Sequence, residues 1–323
     1  ALPILSIIIK MAPNKLAHIL AVMLVLCYKS EAREFAGDSG VTDKEAQKLL
    51  DYHNYYRARQ AKGQIPGQPP AADMTAMEWD DLLETTAQPW ANNCGGPMHD
   101  NSGEKGQGQC YSGYSSGAPG FMKYSFEGWC DKEWPLFNYN ANNFLQGAGH
   151  YTQIVTAYTT KVGCGYNICK GHSYSRIVCN YYPGGNLQDF PAWTRGPACT
   201  KCPYGRPYCM DKALCVRRDQ CTGSKSKCEC SIDWNKCTRN GGKPNKDKCH
   251  CECAAGWTGA NCDTECKDLQ YCGFVNKNEC KNPGTFLTFY SNKCPKHCEL
   301  CKQVDLKDKQ NRRGLTINVF NSA

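Results

Sequence analysis

Long apolar runs are missing from this chain. Its most hydrophobic stretch, Leu16 to Cys27, covers only 12 residues, short of the roughly 20 that a membrane-spanning helix needs. No second such stretch follows, so a membrane anchor is not expected. Lys15 before the run and Ser30-Glu31-Ala32 after it fit an export signal that starts at Met11 and is cut after Ala32, which makes 1–32 upstream sequence and signal. Beyond residue 32 there is no N-x-S/T tripeptide, so N-linked glycans are not expected either. The serine-rich stretch Ser112 to Ser116 belongs to no ordered Ser–His–acid series. Aliphatic residues are few after Pro197, and acidic residues are outnumbered there. Up to residue 198 the chain has 16 Lys and Arg against 17 Asp and Glu; from 199 onward the count is 22 against 13. A basic surface favours acidic partners. Nucleic acid is not among those expected for an exported chain.

What the chain has in excess is cysteine. It carries 25, of which 18 lie after position 198. Cutting after Ala32 removes Cys27 and leaves an even 24, as complete pairing in an oxidising compartment requires. A secreted, extracellular protein is the expectation, with every mature cysteine paired and thiolate chemistry thereby removed. Cys266, Cys272, Cys280, Cys294, Cys298 and Cys301 end in C-x3-C-x2-C, a density at which crosslinks replace a hydrophobic core. The last stretch, 302–323, reads as a flexible tail.

Residues 33–198 are different. They hold six cysteines and most of the tryptophan and tyrosine, enough for one conventional core. Thr42 to Arg59 predicts an amphipathic helix: Thr42 is the cap, Glu45 its capping-box partner, and Ala46, Leu49, Leu50, His53 and Tyr56 share a face. His53 is structural on this pattern. Trp79–Asn93 and Glu127–Phe137 predict further helices, and Ile154–Thr156 and Ile177–Tyr182 predict strands. No regular strand–helix repeat appears, so the class is α+β rather than doubly wound.

Four segments in order resemble the CAP superfamily of secreted proteins. They are Leu49-Leu50-Asp51-Tyr52-His53-Asn54 with Arg57; Cys94 followed by His99; Gly149-His150-Tyr151-Thr152-Gln153-Ile154-Val155; and Val178-Cys179-Asn180-Tyr181-Tyr182-Pro183-Gly184-Gly185-Asn186. The resemblance covers 41–190 and implies an α-β-α sandwich with a surface cleft. Cys94, Cys110, Cys130, Cys164, Cys169 and Cys179 would be its disulfide cysteines, with connectivity open. Gly196-Pro197-Ala198-Cys199-x2-Cys202-Pro203, followed by Ala213-Leu214-Cys215 and Cys221, resembles the hinge of the cysteine-rich secretory (CRISP) type, assigned to 197–229. Residues 230–262, ending in Cys251-x-Cys253 and Gly256-Trp257-Thr258-Gly259-Ala260-Asn261-Cys262, resemble an EGF-like insertion. That resemblance implies first–third, second–fourth and fifth–sixth pairing of Cys230, Cys237, Cys249, Cys251, Cys253 and Cys262. Residues 266–301 resemble a ShK-like knot.

The CAP resemblance implies a cleft of two histidines and two acids able to hold a divalent cation. His99 and His150 are the histidines. Gln109 stands at the first acidic position, and Lys132 at the second with Glu133 one residue later. Two readings stay open: a weak zinc-type site, with no cofactor required, or two structural histidines. The aromatic stretch from Tyr111 to Tyr124 is either loop packing or a lipid or sterol pocket. In the knot, Thr288 and Phe289 stand where pore-plugging relatives carry lysine and an aromatic, which argues against direct occlusion of a potassium pore. A face of Phe286, Phe289, Tyr290, Lys293 and Lys296 remains for a receptor or channel. The expectation is a monomeric, non-enzymatic protein that binds an extracellular receptor or ion channel through its basic tail. Sterol or lipid capture and metal-dependent proteolysis in the cleft are the alternatives.

Overall fold

The computed structural model describes residues 37–268, apart from 97, 101–105, 116–119, 173, 188–189, 204 and 222–227, together with 296–297. The front of the chain is three layers, α-β-α. Helix α1 (Asp43–Ala61) starts as its sequence dictates, with the Thr42 side chain and the Glu45 carboxylate capping each other's backbone. Strand β1 (Glu78–Trp79) leads into α2 (Asp81–Asn92), capped by Asp80. The helix starts two residues later than predicted, because Trp79 is spent on pairing with Val162. Then come β2 (Gly108–Ser115), α3 (Phe121–Phe126) running into a π turn (Glu127–Asp131), α4 (Gly149–Ile154), β3 (Lys161–Ile168) and β4 (Tyr174–Tyr182). The sheet order is β1-β3-β4-β2, with only the β1–β3 pair parallel.

Two predicted elements differ. Glu127–Phe137 is not one helix: the π turn and a 3-10 turn (Trp134–Leu136) divide it, and Pro135 lacks the N–H to continue it. Ile154–Thr156 is not a strand. Ile154 ends α4, and the Ile154 and Thr156 carbonyls accept from Arg57 instead of from a neighbouring strand. Arg57 is fully buried and gives five donations to backbone carbonyls (Thr75, Ile154, Thr156, Ala157 and Thr159) and a sixth to the Thr75 hydroxyl. Asn54 ties α1 to Met77 in both directions.

α2 lies close on β3. A Cβ on Gly163 would stand 2.2 Å from the Glu84 nitrogen, and one on Gly165 2.4 Å from the Gln88 Cα, so only glycine lets the layers meet. On the other face, His53 of α1 contacts the Tyr181 hydroxyl at 2.8 Å and the Leu49 carbonyl at 2.7 Å. Burial drives its pKa down to about 3.

Behind the sandwich come β5 (Tyr208–Met210), β6 (Leu214–Val216), the short α5 (Arg218–Cys221) and β7 (Cys228–Cys230), in sheet order β6-β5-β7. They are followed by α6 (Trp234–Arg239), the hairpin β8 (Lys243–Asn245) and β9 (His250–Glu252), and the pair β10 (Trp257–Thr258) and β11 (Thr264–Glu265). Disulfides join Cys199–Cys209, Cys202–Cys215 and Cys221–Cys228, then Cys230–Cys249, Cys237–Cys251 and Cys253–Cys262. The second set is the pairing that the resemblance implied. Cys266 is also disulfide-bonded. Cys272, Cys280, Cys294, Cys298 and Cys301 lie outside the described residues.

In the front, Cys94–Cys169 and Cys164–Cys179 are joined. Cys110 and Cys130 are not: both are buried free thiols, which corrects the expectation of complete pairing. Burial raises both pKa values, and for Cys130 the neighbouring Asp131 raises it further. Their surroundings suppress the thiolate, so they are unreactive as they stand.

The hinge is not a free-standing crosslinked module. Met210, Ala213, Leu214 and Val216 are buried in the same apolar cluster as Leu49, Trp79 and Tyr181. Ala76 and Cys215 are hydrogen-bonded through their backbones, as are Met74 and Cys215. Glu78 accepts from Arg206 at 3.1 Å and from Arg217 at 2.7 and 2.9 Å. Burial would raise the Glu78 carboxyl, but Arg206 and Arg217 outweigh it and hold the pKa at about 2.

Candidate functional site

The cleft candidates sit at the β2 edge of the sheet. Gln109 pairs in register with Asn180, and its side chain points toward α2, where Asn180 meets Thr86. Gln109 Oε1 lies 3.1 Å from His99 Nδ1 and accepts from the Asp100 N–H at 3.3 Å. His99 is exposed. Cys110, the next residue of β2, points to the opposite face, and its Sγ lies 3.9 Å from the His150 carbonyl.

His150 is the second residue of α4, and Glu133 holds it. One carboxylate oxygen accepts from His150 Nδ1 at 2.6 Å; the other accepts from the N–H groups of His150 (2.8 Å) and Tyr151 (3.0 Å). Those N–H groups have no acceptor within the helix, and a carboxylate at a helix N-terminus is favourable. Glu133 is therefore cap and histidine partner together. Trp129 stacks against the His150 ring, with centroids 5.9 Å apart. The ring is partly exposed, and its Nε2 has no hydrogen-bond partner among the described residues.

The structure thus makes two pairs, His99 with Gln109 and His150 with Glu133. It does not gather them into a metal cage. Among the described residues, the one group of three or more His, Cys, Asp or Glu with ligand atoms within 4.8 Å of one another is Cys199, Cys202 and Cys215. Those sulfurs are in disulfides. Both Glu133 oxygens are engaged, Gln109 is neutral, and hard or borderline divalent ions want several convergent ligands. The donor set does not fit a built divalent-cation site.

The other candidates divide. In the aromatic stretch, Tyr114 packs on Phe121 and Tyr124, and Phe121 packs on Tyr166, so these rings fill one another's space. Phe286, Phe289, Tyr290 and Lys293 lie outside the described residues. Lys296 is described: its N–H, like that of His297, donates to Asp268. Sequence reasoning missed Asn180, although it stands inside a quoted motif. It also missed Arg206 and Arg217, whose only signal was surplus charge. The hairpin β8–β9 is a further basic element, with Lys243, Lys246 and Lys248 all exposed. Among the described residues no helix is long and apolar enough to cross a membrane.

The layered front, the crosslinked back and the two side-chain pairs at the sheet edge fit a CAP architecture, and the sequence comparisons agree. The model of the cysteine-rich secretory protein (CAP) family matches residues 50–181. A cysteine-rich venom protein of Conus textile is 32% identical over 229 residues, 69% of this chain and 67% of the relative. Venom allergen 5 of Polybia scutellaris rioplatensis is 38% identical over 172 residues, 48% of this chain and 82% of the relative. The crystal structure of NaASP2 with Zn2+ aligns at 28% identity and a TM-score of 0.48, over 56% of this chain and 99% of its own. The chain belongs to the cysteine-rich secretory protein family.

Proposed function

We propose that this is a secreted, non-enzymatic CAP protein that binds an extracellular target, an ion channel by preference, through its basic crosslinked back. The observation that carries this reading is charge placed on a rigid frame. The excess of Lys and Arg falls after residue 198, and within it Lys243, Lys246 and Lys248 stand exposed on a hairpin pinned by Cys230–Cys249 and Cys237–Cys251. Rigid cationic surfaces lose little entropy on docking and are steered to acidic partners. In this reading 230–262 is an EGF-like module and 266–301 a ShK-like knot. The venom relatives in cone snail and wasp support an exported protein acting outside the cell. Among the described residues neither His99 nor His150 has a hydroxyl or thiol hydrogen-bonded to its ring, which weighs against proteolysis. The packed aromatic stretch weighs against a lipid pocket there.

The test is electrophysiology on a panel of channels with the full secreted chain and with a variant carrying Lys243→Gln, Lys246→Gln and Lys248→Gln. The expected outcome is modulation by the wild type, reduced at least tenfold in potency in the variant and weakened by high salt. Modulation that survives the variant at full potency in high salt sinks this reading.

A further inference from the structure

The cleft carries an amide where relatives would be expected to place an acid, and the hydrogen bonds around it say why. The relay has two ends whose polarity admits no choice. At one end the Asp100 backbone N–H can only donate, and it points at the Gln109 side chain at 3.3 Å. The near atom of Gln109 is therefore its oxygen, and the far atom, the amide nitrogen, must donate. It does so to Asn180 at 2.9 Å, so the near atom of Asn180 is Oδ1 and its far atom is the NH2. That NH2 donates to the Thr86 hydroxyl at 3.0 Å. The hydroxyl then has one proton left to give, and it goes to the Leu83 carbonyl at 2.9 Å, the other fixed end. Read from Leu83 back to Asp100, the directions are the same. Amide orientations are ordinarily assigned from networks; here both termini of the network are backbone groups of one polarity.

We propose that position 109 is wired for an amide and that Gln109 is a positioning residue for His99. Its oxygen is committed as an acceptor, so the ring nitrogen 3.1 Å away must carry the proton. His99 is thereby held as the Nδ1–H tautomer with the Nε2 lone pair outward. His150 is held the same way, because a carboxylate facing its Nδ1 can only accept. Each histidine of the cleft edge thus offers one nitrogen acceptor, a site for a hydrogen-bond donor such as an alkylammonium or a hydroxyl. A carboxylate at 109 would set oxygen against Asn180 Oδ1. Relieving this by turning Asn180 over would set its oxygen against Thr86, which must then abandon Leu83. The missing acid is in this sense excluded by Asn180 and Thr86, and restoring it does not restore a cation site.

The test is long-range 1H–15N NMR of the histidine rings on the full secreted chain. In the wild type above the titration range, His99 is expected to show a protonated Nδ1 and a lone-pair Nε2. In Gln109→Leu the proton is expected to move to Nε2 in most molecules, while His150 stays as it was; Gln109→Asn, too short to span both partners, behaves like Gln109→Leu. Gln109→Glu is expected to lower the Tm by ~3 °C or more and to leave zinc affinity by calorimetry within tenfold of wild type. A wild-type His99 protonated on Nε2 overturns the proposal, as does a Gln109→Leu spectrum unchanged from wild type. A Gln109→Glu variant that keeps its Tm and gains more than tenfold in zinc affinity overturns it too. None of these readouts depends on the channel reading, so either can fail alone.

Discussion

Around Tyr181 the molecule is built from side-chain volume. Leu49, Leu50, Phe126, Trp79 and Val162 close on one another between α1 and the sheet, and the two front disulfides lie within layers that already pack. Around Cys237 the buried cluster is mostly sulfur: seven cysteines, with Ile232 and Ala260 as its buried aliphatics. Between them the hinge borrows from both, with Cys199 and Cys202 buried among the sulfurs and Met210, Leu214 and Val216 among the front's apolar residues. The contrast teaches that crosslinks here stand in for apolar area only where that area runs out. The change from apolar to sulfur-rich packing therefore runs through 199–216 rather than before it.

The contrast breaks most severely at Arg57. Arg57→Met keeps the stem's volume but removes the guanidinium donor from five buried backbone carbonyls, of which Ala157 and Thr159 keep a contact from Thr75. A loss of about 4 kcal/mol or more is expected, read by urea denaturation, with the back's disulfide-held segments still protected in hydrogen exchange. If the back unfolds together with the front at the same denaturant concentration, the two are not distinct.

Glu78 tests the seam. Glu78→Ala strips the buried Arg206 and Arg217 of their shared carboxylate, while Arg217 retains Asp219. The expected cost is about 3 kcal/mol, with exchange protection lost across 199–221 and kept in α1. Unchanged protection in the hinge would mean that its apolar contacts suffice alone.

How much of this was visible beforehand follows the same division. The start of α1 was legible because a capping box and a helical stripe are local signals, and the crosslinks of 230–262 because the segment resembles an EGF-like module, whose pairing the resemblance implied. Cys110 and Cys130 were not: an even count says that cysteines can pair, not which positions the sheet brings within reach. Ile154–Thr156 looked like a strand because β-branched residues favour one. A buried guanidinium from α1 claimed its carbonyls, and no window of sequence contains both partners. In the cleft, His99, His150 and Glu133 were legible as positions, whereas the role of Gln109 depends on Asn180 and Thr86, which the sheet and α2 supply.

Reductant should separate the halves more gently. Each crosslink in 230–262 contributes on the order of 2–4 kcal/mol, and little apolar burial replaces it. Dithiothreitol is expected to abolish exchange protection there first, while β3 and β4 keep theirs. Alkylation of denatured, unreduced protein should label Cys110 and Cys130 and no other described cysteine. Simultaneous loss of protection in β4 and β9 would place the front's stability in its disulfides after all.

The smallest effect is acid, and it belongs to the front alone. His53 is buried with its pKa lowered to about 3, chiefly by burial, against an ordinary 6.5. The unfolded chain therefore binds a proton that the folded chain refuses between those values. Stability from this residue is complete above pH 6.5 and falls as the pH drops toward 3. From pH 6.5 to 5 the loss is about 2 kcal/mol. Glu78 adds nothing in this window, since its depressed carboxyl releases stability only as the pH falls from about 4.5 toward 2. His53→Gln offers an amide to the Leu49 carbonyl and the Tyr181 hydroxyl and cannot titrate, so its urea midpoint should stay flat across the interval. A wild-type midpoint equally flat from pH 6.5 to 5 would mean that the ring accepts its proton inside the core, and the apolar account of that layer would fail at its centre.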